Sequence, residues 1–408
     1  MRPGARVRQW LRSEWLFTLL VLALPVLLWS DPAPVGETLA RLPGLLDIPT
    51  LAALAGLLLL SRALSDSGGL EAAGLWLIAR VRHPQTLALS LSAFAALLSM
   101  VVTNDVALFI VVPLIMSLRG NPRIDAGGLV IFAALAVNAG SALSPIGNPQ
   151  NLLLWQTSGV SSIAFIAVMA PLVVPLLALL GVAIWMATRG DGDPLGAGED
   201  SVAGESFGAG ATSGVRASPG APVTCTTRVP LNNRGVVTRP RLLRCSLGLY
   251  PVFLVAVDHG WALPACGLLL AAYGAGARDV VKGLDVTLLA VFALMFIDLG
   301  LIAGLPGVHE IAAMTAALPG GILTSGMVVS QFISNVPAAI LLSEFTDDWQ
   351  RLAWGVNVGG FGIAIGSLAN LIALRLAGVP GLWRRFHLWS LPALVVAWVA
   401  ALAIVPAR

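Results

Sequence analysis

Along almost the whole chain, apolar runs about as long as a bilayer is thick alternate with short polar turns. A transmembrane helix needs about 20 mostly apolar residues. On that criterion, membrane spans are predicted near 14–30, 47–64, 126–156, 160–187, 242–257, 261–277, 285–304, 350–376 and 387–405. Two further apolar stretches, about 86–118 and 320–345, each carry a polar interruption near the middle. The first interruption is Thr103-Asn104-Asp105 and the second is Ser334-Asn335-Val336-Pro337. Non-helical backbone at membrane depth survives only inside protein or beside a polar cavity. Each stretch therefore reads as a re-entrant hairpin, two half-helices entering and leaving on one side. Shorter amphipathic pieces are expected near 67–81 and 306–318.

Two of the spans are themselves interrupted, and in the same way. Val137 to Trp155 reads VNAGSALSPIGNPQNLLLW, and Val356 to Leu374 reads VNVGGFGIAIGSLANLIAL. Aligned without gaps, Asn138 falls on Asn357, Gly140 on Gly359, Ile146 on Ile365, Gly147 on Gly366 and Asn151 on Asn370. Interrupted apolar segments at corresponding places in two halves are a pointer to the binding site of a secondary transporter. The expected fold is all-α, a polytopic membrane protein of two inverted-topology repeats. Each repeat would hold a hairpin and a broken transmembrane helix.

The basic residues set the expected topology. With Arg2 to Arg12 inside, two spans bring Arg62, Arg80 and Arg82 inside as well. The first hairpin has basic flanks, Arg82 and Arg119, and the second has acidic ones, Glu310, Glu344, Asp347 and Asp348. Opposite flanking charge is what inversion of the second unit requires. The N-terminus is then cytoplasmic and the C-terminus outside, with the first span an uncleaved signal anchor. The expected units are residues 1–189, a flexible linker at 190–241, and an extra span plus second repeat at 242–408.

Composition agrees and narrows the classes. The chain of 408 residues is 57% hydrophobic and 11% charged, with a net charge of +3. Its mean hydropathy is +0.87. About 25% charged residues is usual for a soluble domain, so this chain cannot clothe a water-facing surface. The arginines end apolar runs, which gives no reason to expect a nucleic-acid partner. The partners expected are membrane lipid and a small ionic substrate. Cys225, Cys245 and Cys266 have no metal or redox spacing. No HExxH, Walker or GxSxG pattern occurs, so neither a metal site, an ATP-driven pump nor an intramembrane enzyme finds support.

At a hairpin tip or helix break, backbone groups lose their helical partners. With nearby Asn and Ser side chains they can replace an ion's hydration shell. Helix N-termini favour anions. The candidate contacts are Thr103, Asn104, Asp105, Asn148, Asn151, Asn335, Ser367 and Asn370. The competing reading is that these groups only cap broken helices and join helices together. Gly140, Gly147, Gly359, Gly360, Gly362 and Gly366 suit either close packing or substrate contact. Intramembrane acids are costly and usually functional, so Asp105 and Asp298 are candidates to carry a proton or cation. Asp298 could instead pair with Arg62. Arg375 either attracts an anion or marks a helix end.

The segments TNDVALFIVVPLI, SPIGNPQNLL, SNVPAAILL and VGGFGIAIGSLANLIALR resemble signatures of the ion transporter superfamily. It includes citrate and other anion permeases, arsenite efflux permeases and related sodium/proton antiporters. RALSDSGGLEAAGLWL, from Arg62, resembles the stretch before its first hairpin. The resemblance implies two inverted repeats, a midplane site, a substrate domain moving against a scaffold, and homodimers. Carried over, it adds Ser334, Gly147 and Gly366 to the site. The paired Ser-Asn-Thr triplets of the sodium-coupled dicarboxylate branch are absent, and Thr103-Asn104-Asp105 is closer to the arsenite and antiporter branches. The expected function is ion-coupled secondary transport of a small anion across a plasma membrane (the inner membrane of a bacterium), coupled to Na+ or H+ with no other cofactor. The alternatives on the same fold are sodium/proton antiport and arsenite or antimonite efflux.

Overall fold

A computed structural model describes residues 15–189 and 238–405, and every regular element among them is helical. The first half runs α1 (Trp15–Ser30), α2 (Val35–Leu45), α3 (Ile48–Asp66), α4 (Gly69–Arg80), α5 (Pro84–Val101), α6 (Asn104–Met116), α7 (Ala126–Ser141), α8 (Pro149–Ser158) and α9 (Ser162–Ala187). The second runs α10 (Pro240–Asp258), α11 (Ala262–Gly276), α12 (Arg278–Lys282), α13 (Val286–Ala303), α14 (Pro306–Ala316), α15 (Ile322–Ile333), α16 (Asn335–Ser343), α17 (Trp349–Gly359), α18 (Leu368–Ala377) and α19 (Leu382–Ile404). A 3-10 turn, Ala364–Gly366, lies between α17 and α18.

Among the described residues six helices, α3, α5, α9, α10, α13 and α19, are long and apolar enough to cross a bilayer. The 26 residues of α9 extend about 39 Å, more than the ~30 Å hydrocarbon layer. By contrast α8, α15, α16, α17 and α18 have only nine to twelve residues each. None of these crosses alone. Large apolar side chains such as Trp29, Ile163, Phe332 and Leu388 point outward, where a water-soluble surface would be polar and a lipid-facing one is not. The fold is that of a polytopic membrane protein.

The sequence starts and stops these helices with local chemistry that recurs in both halves. Asp47 and Asp285 accept from the third backbone N–H of α3 and α13, at 3.0 and 2.8 Å. Asp125 and Asp348 do the same for α7 and α17, at 3.0 and 3.2 Å. A carboxylate there satisfies an orphan donor and faces the positive end of the helix dipole. Past the ends of α8 and α18, Gly159 and Gly378 adopt φ of +65° and +57°, the left-handed cap that favours glycine. These two glycines are also matched in the gapless alignment of the breaks.

Packing follows two rules. Within each half the first hairpin arm lies on the first part of the broken helix, α5 on α7 and α15 on α17. Between halves the second parts exchange, α6 with α18 and α16 with α8. The outer spans exchange too, α1 with α13 and α11 with α3. Helix α7 is buried along its whole length, from Ala126 to Ser141, and forms the centre of the core.

Three details differ from the sequence reading. Helix α2 was not expected: its polar positions and its eleven residues give no membrane signal, yet it packs on α1 and α13 and is tied by the Arg41–Asp31 pair at 3.1 Å. The expected linker gives way to α10 at Pro240, and Arg239 N–H donates to Ser67 O at 2.8 Å just before it. Arg62 pairs with Asp66 at 3.0 Å, not with Asp298. The expected linker residues 190–237, with Cys225, and the basic segment Arg2 to Arg12 lie outside the described residues.

Candidate substrate site at the hairpin tips and helix breaks

Both hairpins break where the polar residues stand. Helix α6 begins at Asn104 and α16 at Asn335. Thr103 has ordinary extended backbone, whereas Ser334 has φ 73° and ψ 159°. It is the one non-glycine at positive φ among the described residues. That region is close to glycine-only and costs about 1–3 kcal/mol, so the second tip holds a strained serine. Thr103, Asn104 and Asn335 are buried, and Asp105 and Ser334 are half-buried.

The two broken helices meet through asparagine. Asn138 Nδ2 donates to Asn370 Oδ1 at 2.7 Å, and Asn357 Nδ2 donates to Asn151 Oδ1 at 2.7 Å. Ser367 Oγ donates to Asn138 Oδ1 at 3.0 Å, and Asn148 Nδ2 donates to Asn357 Oδ1 at 3.0 Å. Asn370 Nδ2 reaches Gly360 O at 2.9 Å, and Asn151 Nδ2 reaches Ser141 O at 3.3 Å. Each of these three bonds thus has its matched bond in the other break. Asn151 adds Ala142 O and Ser144 O, both at 3.0 Å. Asn148 Oδ1 caps α8 by accepting from Asn151 N at 2.9 Å. These groups are all buried, with Asn151, Ser367 and Asn370 at 0% exposure, and they satisfy one another.

Each tip is tied to the break of its own half. Asn104 N–H donates to Gly147 O at 2.8 Å, and Ser144 Oγ donates to Met100 O at 2.8 Å. In the second half the side chain of Gln331 makes the link, donating to Gly359 O and accepting from Ile363 N, both at 2.9 Å. Close approach explains the matched glycines. A Cβ on Gly140 would lie 2.6 Å from Ser99 Oγ and 2.7 Å from Ala96 Cα. One on Gly359 would lie 2.5 Å from Ser330 Cβ. Gly147 and Gly366 are crowded by backbone, the first by Ser141 Cα at 2.6 Å and the second by Gly359 O at 2.9 Å.

The polar capacity left over is uneven. Asn104 Oδ1 accepts from Asp105 N at 2.9 Å and Asn335 Oδ1 from Ser334 Oγ at 3.4 Å, but neither Nδ2 donates to a described protein group. Thr103 Oγ1, Asp105 Oδ1 and Gln150 Oε1 are buried without a partner beside the first tip and break. Asp298, 1% exposed on α13, leaves both carboxylate oxygens unpartnered. Arg375 is exposed at the end of α18 and lines a groove of about 450 Å³ with Ile365 and Trp383. Among the described residues no three His, Cys, Asp or Glu cluster within reach of one metal ion.

Sequence reasoning aligned Asn138 with Asn357 but did not place them in the site. They are the hubs of the network, and the gapless match was the signal. Gln331, Ser141 and Gln150 were missed as well, and Gln331 has no matched glutamine to betray it, since Met100 stands in its place when Asn335 is set on Asn104.

Two hairpins, each tied to the broken helix of its own half, and two broken helices tied to each other inside a membrane fold suit a transporter. Comparison with known proteins agrees. The citrate transporter family model matches residues 8–354, which takes in both hairpins and the first break. The inner membrane protein YbiR of Escherichia coli is 40% identical over 88% of this chain and 87% of its own. The uncharacterized transporter MJ0456 of Methanocaldococcus jannaschii is 28% identical over 69% of this chain and 68% of its own. The silicon efflux transporter LSI3 of Oryza sativa subsp. japonica is 25% identical over 81% and 80%. The chain belongs to the citrate transporter family and is a membrane transporter.

Proposed function

We propose that the protein is a secondary active transporter of a small anion. It binds its cargo at mid-membrane between the two hairpin tips and exposes it alternately to each side. The observation that carries this is the division of labour among the asparagines. The five in the breaks are spent within the network that joins them, while Asn104 and Asn335 each keep an amide Nδ2 at a helix start. Amide donors at a helix N-terminus favour negative charge. Exchange of matched elements between halves supports two related repeats, and the basic flanks of the first hairpin against the acidic flanks of the second support their opposite topology, with the N-terminus cytoplasmic and the C-terminus outside. A small inorganic cargo fits the rice relative, a silicon efflux transporter. Two copies would associate in the membrane, as the family resemblance implies.

The test is reconstitution in liposomes, with labelled citrate, arsenite and silicic acid offered under an imposed proton or sodium gradient. Asn104→Ala and Asn335→Ala should each lower uptake at least tenfold while the protein stays monodisperse and folded. Undiminished uptake by both variants would reduce the tips to structural breaks.

A second reading, sodium/proton antiport, is favoured by the buried oxygens of Asp105 and Asp298 that lack partners. It takes Na+ and H+ as cargo rather than as coupling ions. Sodium-induced alkalinisation of everted vesicles without any added anion would establish it over the first.

A further inference from the structure

His387 stands near the start of α19 and reaches across to the second helix break. Its Nδ1 lies 2.7 Å from Trp383 O, and its Nε2 lies 3.2 Å from the backbone N of Ala364, which opens the 3-10 turn. A carbonyl only accepts and a backbone N–H only donates. The ring is therefore the neutral Nδ1–H tautomer, with the Nε2 lone pair holding Ala364. Trp383 and Phe386, with ring centroids 5.2 and 5.6 Å away, flank the imidazole. The first break has no such group: the gapless alignment, continued, sets His387 on Val168.

The charged groups around it are few. On α19 itself they are Arg384 and Arg385. From the elements packed against α19 they are Asp125 at the start of α7 and Arg351 on α17, while α9 carries none. Arg375 faces the shared groove from α18. Asp125 is engaged by Arg385, and Arg351 lies 3.7 Å from Asp348.

We propose that His387 is a proton-binding latch on the second break. The neutral ring holds Ala364. A proton taken from water adds to the Nε2 lone pair, sets N–H against N–H, and releases the turn from α19. Imidazole is the side chain whose ordinary charge change falls near physiological pH. The consequence, a proton coupled to the half of the site that contains Ser367 and Asn370, rests on the transporter reading. The latch itself is tested without transport.

Hydrogen–deuterium exchange is measured on the purified full chain in detergent, wild type and His387→Gln, at about pH 8 and about pH 5.5. Glutamine offers an acceptor to Ala364 and does not titrate. The peptide over residues 361–367 should exchange alike in both proteins at the higher pH. At the lower pH it should exchange about tenfold faster in the wild type, and residues 142–148 should not differ. Equal exchange at both pH values overturns the latch. Where His387→Gln does not stay monodisperse, the wild-type ratio of the two peptides decides instead: about a tenfold rise on acidification supports the latch, and a constant ratio overturns it. Constant exchange beside active transport overturns the latch and leaves the transporter. The pH-dependent exchange with no transport under any gradient supports the latch and overturns the reading of the cargo.

Discussion

The matched asparagine pairs carry a quantitative consequence. Asn357→Ala removes a donor at 2.7 Å from Asn151 Oδ1 and an acceptor at 3.0 Å from Asn148 Nδ2. Gln150 Nε2, at 3.5 Å, is too far to count for much. Asn151 Oδ1 is stranded, at about 1–3 kcal/mol, while Asn148 Nδ2 keeps Ser141 Oγ at 3.3 Å, so the single variant should lose roughly 1–3 kcal/mol. Part of that loss belongs to the stranded partner. The pair itself is isolated by a double-mutant cycle with Asn151→Ala. In membrane proteins such cycles give about 0.6 kcal/mol on average and about 1.7 at most, because the unfolded chain also finds partners. With a short bond at 0–3% exposure, the coupling here should fall in the upper part of that range, about 1–1.7 kcal/mol. Asn138 and Asn370, bonded at the same 2.7 Å, should give the same value within about 0.5 kcal/mol. The assay is reversible unfolding in mixed micelles, read by circular dichroism for the wild type, the single variants and both doubles. Additivity within about 0.3 kcal/mol in both cycles would refute the claim that the pairs bind the two halves together. Coupling in only one cycle would refute their equivalence.

Two further outcomes follow from charged groups. Asp298 buries two oxygens without partners, a penalty of about 1–3 kcal/mol; Asp298→Leu should therefore raise the melting temperature while abolishing any proton- or sodium-driven flux, and a destabilised variant would mean that the carboxyl does have a partner. Arg385 beside Asp125, with Nη1 3.2 Å from Oδ1, holds the Asp125 carboxyl below the usual carboxylate range. A depressed folded-state value means that the stabilisation is present above the unfolded value, about 3.9, and is lost as pH falls through the folded one. The side chains are 46% and 59% exposed, so the pair is worth at most about 1 kcal/mol. Asp125→Asn keeps the acceptor for Gly128 and should lower stability by that amount near neutral pH, the gap from wild type closing as pH drops below about 4. A gap that widens on acidification would reverse the sign of the argument.

Much of this molecule is legible in its sequence, for a physical reason. A bilayer demands apolar length and forbids unpaired backbone, so spans announce themselves and the places where helices stop stand out as Thr103, Ser334 and the Gly-Pro-Asn breaks. What stays hidden is set by long-range contact. Asn138 and Asn357 sit in helical stretches and read as interior polar positions until their partners, more than two hundred residues away, are known. Gln331 replaces with one side chain a link that the first half makes through Ser144, and substitution by a different route leaves no trace in an alignment. The positive φ of Ser334 is hidden because serine does not signal it. Helix α2 is hidden because a short, partly polar helix lacks membrane periodicity.

The kinds of contact also bear on how the proposed motion is possible. The breaks are joined to each other, and the tips to the breaks, by hydrogen bonds with defined partners. Such bonds fix geometry and resist sliding, so α5–α8 with α15–α18 are suited to move as one body. The contact of that body with α3 and α13 is different. There Pro149, Leu152 and Leu153 on α8, and Val336 and Ile340 on α16, face Leu54, Phe292 and Phe296 across a crevice whose only polar lining residue is Thr50. Apolar attraction is non-directional. One set of contacts of this kind can be traded for another without stranding a polar group. Placing a charge at Leu153 or Val336 would remove that freedom, whereas a larger apolar residue there would only shift where the two surfaces come to rest.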